Sequence, residues 1–202
     1  MRYRPKISTP QAVSIYRKSL WFRRKLHDDY TFARMTDVWD TLCHDLEDWR
    51  IKLYRSNPDQ EYEKKAGVIK FEDRVLLTAD ERLFEDARNG CKLANFILAH
   101  ELGHLVLEHH ERNAVVKNYK LYAGPTGLAN IPPTPEELDA NFAGVFLQCG
   151  AALENPKWGK KQLADKAFSD VHYVALAQKF VQLDVFKKEL IRQEARYERV
   201  VL

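Results

Sequence analysis

Cysteine is scarce in this chain: Cys43, Cys91 and Cys149 are odd in number, far apart and form no C-x-x-C pair. That argues against a disulfide scaffold and against a cysteine-built metal cage, both of which need paired or closely spaced thiols. A reducing, cytoplasmic setting fits better. Long apolar runs are missing too: nothing approaches the ~18 residues of a membrane span, and the opening MRYRPKISTPQAVS has no apolar stretch of signal-peptide length. Nor is there an excess of one charge. With 32 basic and 29 acidic side chains the formal net charge is +3, so any attraction for a polyanion has to be local rather than spread over the surface.

What the chain does contain is enough apolar material for one sizeable core, 45% hydrophobic and 11% aromatic in 202 residues. Residues 1–30 read as a basic helical arm. Arg2, Arg4, Lys6, Arg17, Lys18, Arg23, Arg24 and Lys25 fall within the first 25 positions without one acid, and Thr9 and Pro10 stand as N-cap and first-turn residues. The plain interpretation of such a run is a solvated helix face; a direct DNA or partner contact is the alternative.

Residues 31–202 read as a single domain. In TDVWDTLCHDLEDW, a Thr36 cap precedes Val38, Leu42 and Leu46 on one helical stripe. Three short strands are expected between 49 and 79: RIKLY alternates, and VIKF and RVLLT flank Glu72-Asp73 as an antiparallel hairpin. CKLANFILAHELGHLVLEHHER, about 91–112, is long, apolar and free of proline, and so reads as a buried helix. The loop from about 118 to 135 is rich in Gly and Pro. Thr134, Pro135 and the acidic pair Glu136-Glu137 then open another helix, about 135–152, and further helices occupy 160–200. The expected fold class is α+β: mainly helical, with a small antiparallel sheet of about three strands and a C-terminal helical subdomain. QLADKAFSDVHYVALA faintly resembles a helix-turn-helix, but Phe168 or Ser169 stands where the turn needs glycine, and these helices read as core.

Four of the seven histidines lie within FILAHELGHLVLEHH. Residues four apart share a helix face, so His100 and His104 can point at one ion. Glu101, about 100° around the helix, reaches the same cleft as a general base. This is the logic of H-E-x-x-H: two metal ligands and a base from one stretch of helix. Gly103 inside the helix costs about 1 kcal/mol relative to alanine, which implies another backbone or side chain passing close by, the helix with a third ligand being the obvious candidate.

Two places offer that ligand. His110 has the spacing of the third histidine in H-E-x-x-H-x-x-G-x-x-H sites, but Leu107 stands where that pattern has its turn-making glycine. A continuing helix would carry His110 about 9 Å up the axis, and His109 fares no better; both are expected at the helix C-terminus. The other place is the helix from Pro135. Glu137 and Asn141, four apart, put a carboxylate ligand and an amide on one face, the amide able to hydrogen-bond a liganding histidine from behind. Glu136 and Asp139 are the rivals for the carboxylate. Two histidines, a glutamate and one open position make a catalytic rather than a structural zinc site.

AHELGHLVLEH at 99–109 and ELDAN at 137–141 resemble the two motifs of the ImmA/IrrE metallopeptidases, the likeness covering about residues 35–180. It implies a zincin-like metallopeptidase domain binding Zn2+ through His100, His104 and Glu137, with Glu101 as the catalytic glutamate. It also implies an endopeptidase that cuts a helix-turn-helix transcriptional repressor in a regulatory switch. The family's segment usually continues from Ala-Asn into Phe-Ala and an acidic Leu-Leu-Met-Pro ending where this chain has FAGVFLQCG, and aligning on Phe142-Ala143 would favour Glu136 over Glu137. Tyr119, Tyr122, Arg112 and His172 are candidates for an additional electrophile. The competing expectation is a non-catalytic zinc-binding regulator that acts by binding a repressor or DNA.

Overall fold

The computed structural model describes residues 7–26, 32–55, 66–109, 123–124, 127–128 and 134–200, with side chains described up to 194 outside 123–128. Along the chain these form α1 (Thr9–Arg24), α2 (Met35–Asp45), β1 (Trp49–Tyr54), β2 (Ala66–Lys70), β3 (Val75–Asp80), α3 (Glu81–Arg88), α4 (Lys92–Val106), β4 (Ala123–Gly124), β5 (Gly127–Leu128) and α5 (Pro135–Cys149). A 3-10 turn (Gly150–Glu154) and helices α6 (Lys160–Lys166), α7 (Val171–Val181) and α8 (Asp184–Val200) complete it. Helix predominates, as expected, and none of the described helices is long and apolar enough to cross a membrane.

The three-stranded sheet is mixed rather than antiparallel. Its order is β1-β3-β2, with β2 antiparallel to β3 but β1 parallel to it, Trp49 opposite Val75 and Tyr54 opposite Asp80. The hairpin half was readable: Phe71 N–H donates to the Arg74 carbonyl (2.7 Å) across Glu72-Asp73. The edge that β1 occupies follows from the place of β3. β3 buries Val75, Leu77 and Ala79 and takes the centre, the hairpin consumes one of its edges, and the other is left for β1.

Helix α1 is no arm. Ala12, Val13, Ile15, Tyr16, Leu20 and even Arg23 are buried, and the apolar ones join α5, α6, α7 and α8 in one cluster. The charge run hid an apolar face spaced three and four residues apart, the period of a helix packed on a core. Arg17 and Lys18 are half-buried, and Arg24 and Lys25 exposed. Arg2, Arg4 and Lys6 lie outside the described residues. The cap is Ser8, one residue before Thr9. Likewise α2 starts at Met35 without a side-chain cap from Thr36, which is buried inside it; the Met35 N–H instead donates to Asn95 Oδ1 of α4 (3.1 Å). Leu46 falls just past the helix end and is exposed.

A second cluster gathers α2, the sheet, α3 and one side of α4, including Trp39, Leu77, Phe84, Leu98 and Leu102. Helix α4 lies between the two clusters, sending Phe96 into the first. The seam between α4 and α5 is made of small residues. A Cβ on Gly103 would come within 2.7 Å of the Ala140 carbonyl oxygen and 3.1 Å of the Ala143 methyl, and one on Gly144 within 3.2 Å of the Ala99 and His100 backbone. The close approach inferred from Gly103 is therefore present, and it is the approach of the helix that carries Glu137. Helices α6 and α7 bury Leu163, Ala164, Tyr173, Val174 and Ala177, which makes them core.

Candidate metal centre

Helix α4 is buried over most of its circumference, so any polar group on it must find a partner inside the protein. His100, Glu101 and His104 are 3%, 3% and 8% exposed. From α5, Thr134 accepts from the Glu137 N–H (3.3 Å), fixing the first turn and delivering Glu137 to the two histidines. His100 Nε2 lies 3.1 Å from Glu137 Oε2, His104 Nε2 lies 3.7 Å from Glu137 Oε1, and the two Nε2 atoms are 3.1 Å apart. One ligand atom from each of the three residues lies within 4.8 Å of the others, so the cluster could hold a metal ion.

The register question at the start of α5 has a geometric answer. Glu137, not Glu136, joins the histidines. Asp139 faces away from them: both its oxygens accept from Gln11 Nε2 of α1 at 2.7 Å.

The ring nitrogens facing away from the cluster are also held. His100 Nδ1 is 2.9 Å from Asn141 Oδ1, as the four-residue spacing from Glu137 implied, and Asn141 Nδ2 donates to Tyr173 OH (3.1 Å). Tyr173 in turn stacks on Phe96, with ring centroids 5.5 Å apart and planes 18° from parallel. Sequence reasoning missed Tyr173. Nothing local marks it, because it reaches the site from α7, over thirty residues beyond Asn141.

It also misjudged the end of the motif helix. Helix α4 stops at Val106 instead of running on to about 112: Leu107 is its cap and Glu108 takes a left-handed conformation, φ 59°. The chain turns back there, and His109 Nδ1 comes within 2.9 Å of His104 Nδ1. His109 is thus against the cluster and not further along the axis. The turn is tied to α1 by Lys18, whose ammonium lies 3.3 Å from Glu108 Oε2. His110, Arg112, Tyr119 and Tyr122, and the loop of which the two tyrosines are part, lie outside the described residues, β4 and β5 excepted. His172 is exposed on α7, its ring 5.6 Å from that of Tyr173.

Burial drives the Glu101 carboxyl up to about 8, His100 opposing this and Glu137 adding to it. For His100, burial works against the charged ring but is outweighed by the Glu137 hydrogen bond, by the Glu101 and Glu137 charges and by Asn141, so its pKa is raised. A divalent cation held by His100, His104 and Glu137 would oppose the upward shift on Glu101. Compared with known proteins, the chain matches no family model, no curated protein and no solved structure.

Proposed function

We propose that this protein is a zinc-dependent endopeptidase of zincin-like fold, acting in the cytoplasm on a specific protein partner of the helix-turn-helix repressor class. The observation that carries the zinc reading is the convergence of the three ligand groups. Zinc bonds of about 2.0–2.1 Å in a tetrahedron require ligand atoms roughly 3.3 Å apart, and the separations of 3.1, 3.1 and 3.7 Å among His100, His104 and Glu137 fall around that value. Imidazole and carboxylate are the donors that borderline-soft zinc accepts, and three protein ligands leave a position open for substrate. Zinc held there supplies Lewis acidity, polarising a peptide carbonyl and acidifying water.

The remaining chemistry belongs to the chain. With both Nε2 lone pairs turned to the focus, His100 and His104 carry their protons on Nδ1, and His100 donates its proton to Asn141 Oδ1. Glu101 takes the proton from the attacking water and hands it to the departing amine. The apolar wall of α4 around it keeps bulk water from competing for that proton. The repressor class of substrate rests on the sequence resemblance of AHELGHLVLEH and ELDAN alone.

Metal analysis of the purified protein tests this directly. One zinc per chain is expected in the wild type and in Glu101→Gln, and none in His104→Ala or Glu137→Ala; cleavage of a helix-turn-helix repressor is expected from the wild type only. Zinc retained by both ligand variants would overturn the coordination. Zinc binding without cleavage, with Glu101→Gln indistinguishable from wild type in function, would point instead to a regulator that acts by binding.

A further inference from the structure

The two histidines of the cluster are supported differently from behind. Asn141 is anchored on Tyr173 and presents an oxygen to His100 Nδ1. His104 Nδ1 meets the Nδ1 of another imidazole, that of His109, at 2.9 Å, with the rings 63° apart and their centroids separated by 5.1 Å. A contact of this length between two ring nitrogens is a hydrogen bond only if one of them lacks a proton. His104 must keep its proton on Nδ1 if Nε2 is to offer a lone pair toward Glu137 and His100, so His109 Nδ1 has to be the acceptor, its own proton sitting on Nε2.

Resting on the zinc reading above, we infer that His109 is a positioning residue: it accepts the His104 Nδ1 proton, fixes that ring's tautomer and orientation, and so does for His104 what Asn141 does for His100. The backbone is shaped for this. A continuing helix would carry His109 away; the halt at Val106 and the left-handed Glu108 bring it back over the preceding turn. A non-glycine residue at positive φ carries a conformational cost and persists only where its surroundings impose it. Here the imposing contacts are the Leu107 N–H donating to the Gly103 carbonyl and the Glu108 N–H to the Leu105 carbonyl, both 3.0 Å, with Lys18 holding the Glu108 side chain from α1.

The test compares zinc affinity, by chelator competition, among wild type, His109→Phe and His109→Asn. Phenylalanine keeps a planar ring against His104 but accepts no hydrogen bond; asparagine places an oxygen close to where Nδ1 was. Partners behind liganding histidines are worth about 10–100-fold in metal affinity. His109→Phe is therefore expected to bind zinc at least tenfold more weakly, and His109→Asn within about threefold of wild type, with unfolding midpoints of the metal-free proteins close together. Equal affinity in all three, or equal loss in both variants, would overturn the role assigned to the acceptor atom while leaving the zinc site itself in place. Failure of the wild type to bind zinc would refute the underlying reading and this inference with it. In cobalt-substituted protein, His109→Asn should leave the d–d spectrum unchanged, because His109 is not itself a ligand; an altered spectrum would show direct coordination and contradict the assignment.

Discussion

Replacing Gly103 by alanine puts a methyl group where α5 already is. The added carbon would stand 2.7 Å from the Ala140 carbonyl oxygen and 3.1 Å from the Ala143 methyl, whereas ordinary contact begins near 3.4 Å. The obstructing oxygen belongs to backbone inside a helix, so it cannot swing aside as a side chain would. Relief requires α4 and α5 to separate by about 0.7 Å, the difference between 3.4 and 2.7 Å. Overpacking of this kind costs about 1–3 kcal/mol, and the better helix propensity of alanine returns up to about 1 kcal/mol. The net expectation is a loss of up to about 2 kcal/mol, read as a lower denaturation midpoint of the metal-free protein at unchanged slope. Because His100 and His104 are on one helix and Glu137 on the other, the same displacement disturbs the cluster, and zinc affinity should fall by about tenfold or more, equivalent to at least about 1.4 kcal/mol. Gly144→Ala is the internal control. Its nearest contacts, at 3.2 Å, demand only a few tenths of an ångström, so it should cost less on both measures. A Gly103→Ala protein as stable as wild type, with undiminished zinc affinity, would refute the close helix contact and the dependence of the site on it.

Asn141→Ala removes the acceptor for His100 Nδ1 and the donor to Tyr173 OH, and should weaken zinc binding about 10–100-fold; Tyr173→Phe, one step further out, should have a smaller effect, and the reverse order in a chelator titration would contradict the chain of contacts. Burial holds the Cys149 thiol near 12 and the Cys43 thiol near 11. A raised thiol pKa means less thiolate at any given pH, on the order of one molecule in ten thousand for Cys149 at pH 8, so Cys149 should resist alkylation until denaturant is added; rapid labelling of the folded protein at pH 8 would contradict this. Arg23, 2% exposed, donates from Nη1 to the Leu147 carbonyl of α5. Arg23→Met keeps the length and loses a buried hydrogen bond from a charged donor, at a cost of about 1–3 kcal/mol, measurable by chemical denaturation, with no change in the number of zinc ions bound.

Much of the site was legible in advance because it depends on spacing within one helix. The four-residue steps from His100 to His104 and from Glu137 to Asn141 set which side chains share a face wherever the helices go. Thr134-Pro135 marks the start of α5 through local hydrogen bonding and a preset φ, and Gly103 announced a close neighbour by its own cost in a helix. Distance along the chain set the limit. Whether Glu136, Glu137 or Asp139 meets the histidines depends on how α5 is rotated against α4, which follows from the fit of Gly103 and Gly144 into the opposing backbone and from the hold of Gln11 on Asp139.

The same holds for the errors. α1 was read by its charges, but the packing of Ala12, Val13, Ile15 and Tyr16 against α5 and the C-terminal helices places it in the core. The alternation of RIKLY marks β1 as a strand, but the antiparallel sheet expected from the sequence fails at β1, which runs parallel to β3, because pairing direction is a matter of where two distant segments meet. At the end of α4 no glycine announces a turn, and Leu107 favoured continuation; the left-handed Glu108 ends the helix and turns His109 toward His104. Residue identity and local period are properties of the chain, and they named His100, Glu101, His104 and Asn141. The rotation of one helix on another, the turn after Val106 and the arrival of Tyr173 from α7 are products of packing, in which contacts between remote segments outweigh local preference.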